Sequence, residues 1–349
     1  MKVFCILFLA LTLGSGAFAQ KYTLEAKRNV LENNYNYWVC TPPDYAAKND
    51  SVSSDSVKKF PLVVFLHGAS LCGHNLNLVR RYGCLNAVQI GRDINAVIVA
   101  PQNPGGAWNP KKIAGIMDWT SENYNIDTNR IYVLGMSLGG YGTVDFCATY
   151  PEKVAAAMAL CGGSSGKGEI CNLGKLPFWI IHGTADRRVG INCSKSIVAE
   201  LEASQNDSLL MYTWLQGGSH GALARLFYME KTYEWLFSHS LSDSVKTVHR
   251  DFSVSMTDIK HAYEHINRSP ERVKVIDPNP NTCSYNNAYK NIDFSDCEVW
   301  TVRQGDILVN IARATRTTVD AICRLNGISR TSMLRIGQKL KIREKAVSK

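Results

Sequence analysis

Six short apolar runs set the pattern of the first two-thirds of this chain: Leu62–Phe65, Ala96–Ala100, Ile131–Leu134, Val154–Leu160, Phe178–Ile181 and Leu209–Trp214. Each is rich in β-formers and lacks polar alternation, as expected of strands buried on both faces. Helix-like stretches separate them. The predicted class is therefore α/β, with a doubly wound, mostly parallel sheet covered by helices on both sides. Residues 47–59, AKNDSVSSDSVKK, are polar and Ser-rich and read as a surface loop. Residues 243–297 mix short helical pieces with Pro- and Asn-rich turns and read as a connector. Beyond them the period changes. VWTVRQGDILVNIA, TTVDAICRLNGI and LRIGQKLKI predict a strand, two amphipathic helices and a closing strand. Ile307, Leu308, Ile311 and Ala312 mark one helix face, and Val319, Ile322 and Leu325 the other.

The N-terminus has the form of a secretory signal. Lys2 supplies a positive start, Val3–Leu13 an apolar segment, and Ala17-Phe18-Ala19 a small-residue cleavage site, so residues 1–19 are expected to be removed. An apolar segment of that length is too short to cross a hydrocarbon core, which needs about 20 residues. The expected protein is exported, without a transmembrane segment, in the periplasm, on the cell wall or outside the cell. Charge then separates two parts. Residues 298–349 carry eleven Lys/Arg against four Asp/Glu, while 20–297 are close to neutral. A basic tail suits an anionic polymer or surface, although a solvated face explains it equally well. No nucleic-acid partner is expected. Ten of the eleven cysteines follow residue 19. In an oxidising compartment Cys72–Cys84, Cys161–Cys171 and Cys283–Cys297 are candidate short-loop disulfides, with Cys147 a buried free thiol. No Cys/His run has zinc spacing, and neither metal nor cofactor is expected.

Candidate chemistry starts at Gly135-Met136-Ser137-Leu138-Gly139, a Gly-x-Ser-x-Gly pentapeptide directly behind the run Ile131–Leu134. A serine nucleophile needs a sharp strand-to-helix turn, and side chains at the two glycines would clash with neighbouring backbone. The serine also needs a histidine to take its proton and a carboxylate to orient that histidine. Asp186 follows the run Phe178–Ile181, and His220 sits in the Gly-rich loop after Leu209–Trp214, in the order Ser, acid, His. His182 is a rival base, better suited to packing or to supporting the acid loop. For the oxyanion, Leu138 is one expected N–H donor and Ala69, in Leu66-His67-Gly68-Ala69-Ser70, the other.

These residues resemble the α/β-hydrolase superfamily. FLHGAS, VAPQNPGGAW, DTNRIYVLGMSLGGYGT and HGTADRRV together are similar to its esterase branch, which includes feruloyl and acetyl esterases, polyhydroxybutyrate-depolymerase-like proteins and the phospholipase/carboxylesterase group. The resemblance covers roughly residues 30–240 and implies a serine hydrolase without cofactor. Only Cys161–Leu176 separate two of the runs, too few for the helical lid that many relatives insert, so the site is expected to be uncapped. Trp108 is a candidate platform for a sugar or an aromatic acyl group. The stretch 299–342 resembles a LysM module, a βααβ unit that binds N-acetylglucosamine-containing glycans. In that family the glycan lies between two loops, which here are Gly305-Asp306-Ile307-Leu308 and Asn326-Gly327-Ile328.

The expected organisation is a signal peptide (1–19), a catalytic domain (20–242), a connector (243–297), a LysM domain (298–343) and a basic end (344–349). The expected function is an exported carboxylic-ester hydrolase acting on acylated glycan and targeted to peptidoglycan or a chitin-like polymer. Alternatives are a serine peptidase of the same fold, or a glycan-binding protein with a non-catalytic hydrolase scaffold.

Overall fold

All six apolar runs are strands of one sheet. The structure is a computed structural model that describes residues 21–47, 58–266, 268, 272–278, 297–302, 306, 308–328, 332, 334 and 337–344. The expected signal segment 1–19, most of the loop 47–59, Cys283 and the basic end beyond residue 344 lie outside the described residues. Strands β3 (Phe60–Leu66), β4 (Val97–Pro101), β5 (Ile126–Met136), β6 (Ala156–Leu160), β7 (Phe178–Gly183) and β8 (Leu210–Leu215) pair in parallel. Two strands not expected from the sequence, β1 (Tyr22–Lys27) and β2 (Tyr37–Thr41), add an antiparallel edge, and β9 (Val273–Ile276) pairs in parallel with β1. The nine strands run β8-β7-β6-β5-β3-β4-β2-β1-β9.

Alternate residues of each strand go to opposite faces, which is why the runs are apolar without interruption. Val63, Phe65, Tyr132, Leu134, Trp179 and Ile181 pack against α1 (Cys84–Ile90) and α6 (Glu230–Phe237). Leu62, Val64, Val133, Phe178 and Ile180 pack against α2 (Pro110–Asn123), α3 (Leu138–Thr149) and α4 (Asn192–Ala203). The strand order and the two helical layers are those of an α/β-hydrolase fold, and among the described residues no large lid interrupts them. Between β6 and β7 the chain makes only a 3-10 turn, Ile170–Lys175.

The chain divides into two compact units, Met1–Pro280 and Asn281–Lys349. Part of the stretch read from sequence as a connector therefore packs with the first unit. It supplies β9 and α7 (Met256–Lys260), whose N-terminus is closed by a Ser255–Asp258 capping box. Ile259 and Ala262 are buried in the first unit's core. In the second unit β10 (Cys297–Thr301) and β11 (Lys339–Glu344) pair antiparallel around α8 (Leu308–Ala314) and α9 (Val319–Asn326). Leu308, Ile311, Ala312, Ile322, Leu340 and Ile342 are in its core and Val319 packs against it; of the other expected face residues Leu325 is half-buried and Ile307 lies outside the described residues. Among the described residues no helix is long and apolar enough to cross a membrane.

Candidate active site

Ser137 stands between β5 and α3 with φ 59° and ψ −122°, a backbone conformation that side-chain-bearing residues rarely adopt. Its flanking glycines are required by contact. A Cβ on Gly139 would stand 1.8 Å from the Leu66 carbonyl oxygen, and one on Gly135 2.3 Å from the Gly139 carbonyl oxygen. The elbow is thus wedged against β3. Leu138 is the first residue of α3, so its N–H has no carbonyl one turn back in the helix to bond.

The expected acid and base come from neighbouring strand ends. Asp186 follows β7, and His220 follows β8 at the head of the short helix α5 (His220–Leu223). The two loops are stitched together by Ala185 N–H donating to the Gly218 carbonyl (3.0 Å) and Gly217 N–H to Thr184 Oγ1 (2.8 Å). His220 Nδ1 donates to Asp186 Oδ2 at 2.7 Å. Asp186 Oδ1 accepts from the N–H groups of Arg188 (2.8 Å) and Val189 (3.0 Å). The Asp186 side chain is 0% exposed and that of His220 23%. Burial opposes ionisation of Asp186, but hydrogen bonds from Val189 N–H, His220 and Arg188 N–H outweigh it and hold the carboxyl below the usual range. His182 is fully buried, with Nε2 donating to the Val189 carbonyl (3.0 Å) and Nδ1 2.8 Å from Ser194 Oγ. It braces the acid loop, the supporting role expected for it.

The loop after β3 is held by side chains that the sequence did not single out. Buried His67 accepts from Asn103 N–H on Nε2 (3.0 Å), so its proton lies on Nδ1 and is donated to the Gly68 carbonyl (2.8 Å). Tyr82 Oη accepts the Gly68 N–H at 2.9 Å. That N–H is therefore already engaged, and Ala69 follows it in the chain. A cleft of about 530 Å³ is lined by Gly68, Ala69, Tyr82, Ser137, Arg188 and His220 among others. It brings together the expected nucleophile, base and second oxyanion loop. Tyr82 carries no sequence signal, because only the fold brings it beside Gly68.

Trp108 departs from expectation. It is 1% exposed, packs edge-on to Tyr35 and His67, and donates through Nε1 to the His67 carbonyl at 3.3 Å. Gly142 of α3 leaves room for its ring, since a Cβ there would stand 2.6 Å from Trp108 Cδ1. The indole is part of the core under the β3 loop and has no face left for a ligand. The candidate disulfides Cys72–Cys84 and Cys161–Cys171 are not formed: all four residues are free thiols, as is buried Cys147. Cys84 is sealed in the core by α1. Cys161, at φ 40°, turns inward, so that its Sγ lies 3.6 Å from His220 Nδ1. Among the described residues, Cys161, Asp186 and His220 form a group whose ligand atoms all lie within 4.8 Å of one another.

In the second unit Gly305 and Ile307 lie outside the described residues. Asp306 accepts from Trp300 Nε1 at 2.9 Å, and Leu308 is buried. Asn326 donates to the Ile322 (2.8 Å) and Lys341 (2.7 Å) carbonyls and accepts from Lys341 N–H (2.8 Å). Both its amide hydrogens are spent joining α9 to β11, so this side chain shapes the loop and has no hydrogen left to donate to a glycan. Gly327 closes α9 in the left-handed conformation, and Ile328 packs on the core. The LysM family model matches residues 300–343, across the same strands and helices.

Residues 300–343 form a LysM domain.

The chain is 39% identical over 74 residues to acetylxylan esterase A of Emericella nidulans. That match covers 21% of this chain and 24% of the esterase, so the chain spans about a quarter of the relative's length. A probable acetylxylan esterase A of Aspergillus fumigatus is 38% identical over 74 residues, 21% of this chain and 19% of that protein. Among solved structures, a thermostable esterase is similar at 27% identity with a TM-score of 0.48, covering 64% of each chain.

Proposed function

We propose that the chain is an exported serine hydrolase that removes short acyl groups from glycans and is held near its substrate by the LysM domain. The observation that carries this reading is the 2.7 Å hydrogen bond from His220 Nδ1 to buried Asp186, with His220 and Ser137 lining one cleft. Asp186 then keeps the imidazole in the tautomer whose Nε2 is free to take a proton. Ser137 Oγ attacks the acyl carbonyl and passes its proton to His220. The tetrahedral oxyanion is met by the Leu138 and Ala69 N–H groups, the first at a helix N-terminus. His220 returns the proton to the departing sugar oxygen. Water, activated by the same imidazole, then releases the acid from Ser137.

Acetylxylan esterases among the relatives, and a cleft without a lid, favour acetyl or aromatic acyl groups on a polysaccharide. The LysM domain favours an N-acetylglucosamine polymer such as peptidoglycan or chitin as the neighbour, and residues 1–19 favour export. Fluorophosphonate labelling of the folded protein is the deciding experiment. The expected result is one adduct on Ser137, with turnover of acetyl and feruloyl esters. No adduct would leave a glycan-binding protein on a silent scaffold. An adduct with cleavage of peptides alone would make it a peptidase.

A further inference from the structure

Cys161 is a buried thiol against the acid–base pair, and nothing in the proposed acyl transfer uses it. We propose that Cys161, Asp186 and His220 form an inhibitory site for a thiophilic divalent cation such as Zn2+. The fold assembles it from the ends of β6, β7 and β8, which is why no zinc spacing exists in the sequence.

One distance suits the ion as it stands, and a second explains why its entry inhibits. In tetrahedral zinc, bonds of about 2.3 Å to sulfur and about 2.0–2.1 Å to nitrogen set the two ligand atoms about 3.5 Å apart. Cys161 Sγ and His220 Nδ1 are already 3.6 Å apart. The same geometry needs about 3.3 Å between the nitrogen and a carboxylate oxygen, whereas His220 Nδ1 and Asp186 Oδ2 are 2.7 Å apart. The ion therefore enters only by opening that hydrogen bond. The Nδ1 proton moves to Nε2, where it blocks proton transfer from Ser137, and the Cys161 thiol gives its proton to solvent as the thiolate binds. A metallated His220 has lost its link to Asp186 and is held in a new orientation, so proton transfer from Ser137 stops. One sulfur, one nitrogen and one carboxylate oxygen favour Zn2+ over Mg2+ or Ca2+, which take all-oxygen sites. Burial pushes the Cys161 thiol well above its ordinary pKa, so without an ion it stays protonated and is a poor nucleophile. Access is through His220, the partly exposed member, whose loop has Gly217, Gly218 and Gly221 beside it.

The inhibition rests on the serine-hydrolase reading, but the site itself does not, so two readouts are needed. Zn2+ is titrated into the full chain during turnover of 4-nitrophenyl acetate. Separately, Co2+ is added and the thiolate-to-cobalt absorption in the near ultraviolet is recorded. The expected result is reversible inhibition, lifted by a chelator, together with a cobalt–thiolate band. In Cys161→Ala and Cys161→Ser the band disappears, and inhibition needs over about 100-fold more Zn2+, beyond what outer-sphere changes cost. Cys171→Ser, an exposed thiol, leaves both unchanged. His220→Gln weakens the band without requiring any activity and serves if the Cys161 variants do not fold. A band equal in wild type, the Cys161 variants and His220→Gln overturns the site, as does no band at all. A Cys161-dependent band without ester turnover keeps the site and overturns the esterase reading.

Discussion

His67 accepts the backbone N–H of Asn103 through Nε2 at 3.0 Å, and that bond ties the turn after β3 to the turn after β4. Only an unprotonated nitrogen can accept it. Burial pushes the His67 pKa from 6.5 down to about 4, with a smaller opposing effect from the hydrogen bond to the Gly68 carbonyl. The unfolded chain therefore binds this proton more readily than the folded one. Stability is full above about 6.5 and is lost as pH falls toward 4, by up to about 3 kcal/mol at 1.36 kcal/mol per unit. Buried His182 and His239 are lowered too and act in the same direction. Denaturant unfolding across this window should show the loss. His67→Gln should flatten its steepest part, and an unchanged slope would mean that His67 does not carry it.

The elbow glycine tests how tightly the nucleophile is built in. Gly139→Ala places a methyl group 1.8 Å from the Leu66 carbonyl oxygen, where neither strand nor helix can retreat alone. The expected cost exceeds about 4 kcal/mol, the range reserved for named structural failures. Gly190→Ala, with nothing within 4 Å, should stay within about 0.5 kcal/mol. Melting curves of the two proteins make the comparison.

Replacing the reacting groups should separate chemistry from folding. Ser137→Ala is expected to lower kcat for a short acyl ester by about 10⁶ with an unchanged circular dichroism spectrum. Asp186→Asn is expected to cost about 10⁴, through misorientation of His220. A nearly neutral Asp186→Asn would move the acid to another carboxylate.

Deleting residues 298–349 should leave turnover of a small soluble ester unchanged, since the cleft draws every lining residue from the first unit. Retention on insoluble peptidoglycan or chitin, and hydrolysis of acyl groups on that material, should both fall. Added salt should weaken only the share of binding due to exposed charge, which is screened beyond about 10 Å at 0.1 M. Sedimentation with the polymer at low and high salt measures the two parts.

What the sequence revealed depended on how local its cause was. The β-rich runs and the Gly-x-Ser-x-Gly elbow are written in neighbouring residues, so β3 to β8, Ser137 and the loops bearing Asp186 and His220 could be read directly. The edge strands were harder. YTLEAK of β1 alternates with Thr, Glu and Lys because its other face is half-exposed, and its length is that of many loops. GGAW alone left Trp108 open as a candidate platform, whereas Gly142, more than thirty residues later, leaves the space that buries it. Cys161 was expected to bridge to Cys171. Its left-handed backbone instead turns the thiol toward His220, and no local signal announces a positive φ at a cysteine.

The backbone at Ser137 carries one more consequence. A non-glycine residue held at φ 59° costs about 1–3 kcal/mol, and the half-buried side chain gains its place in the cleft lining from that same turn. Ser137→Gly should therefore melt higher than the wild type while losing turnover, and Ser137→Ala should not gain. The position proposed to carry the nucleophile is also the one where the fold would be better served by having no side chain at all.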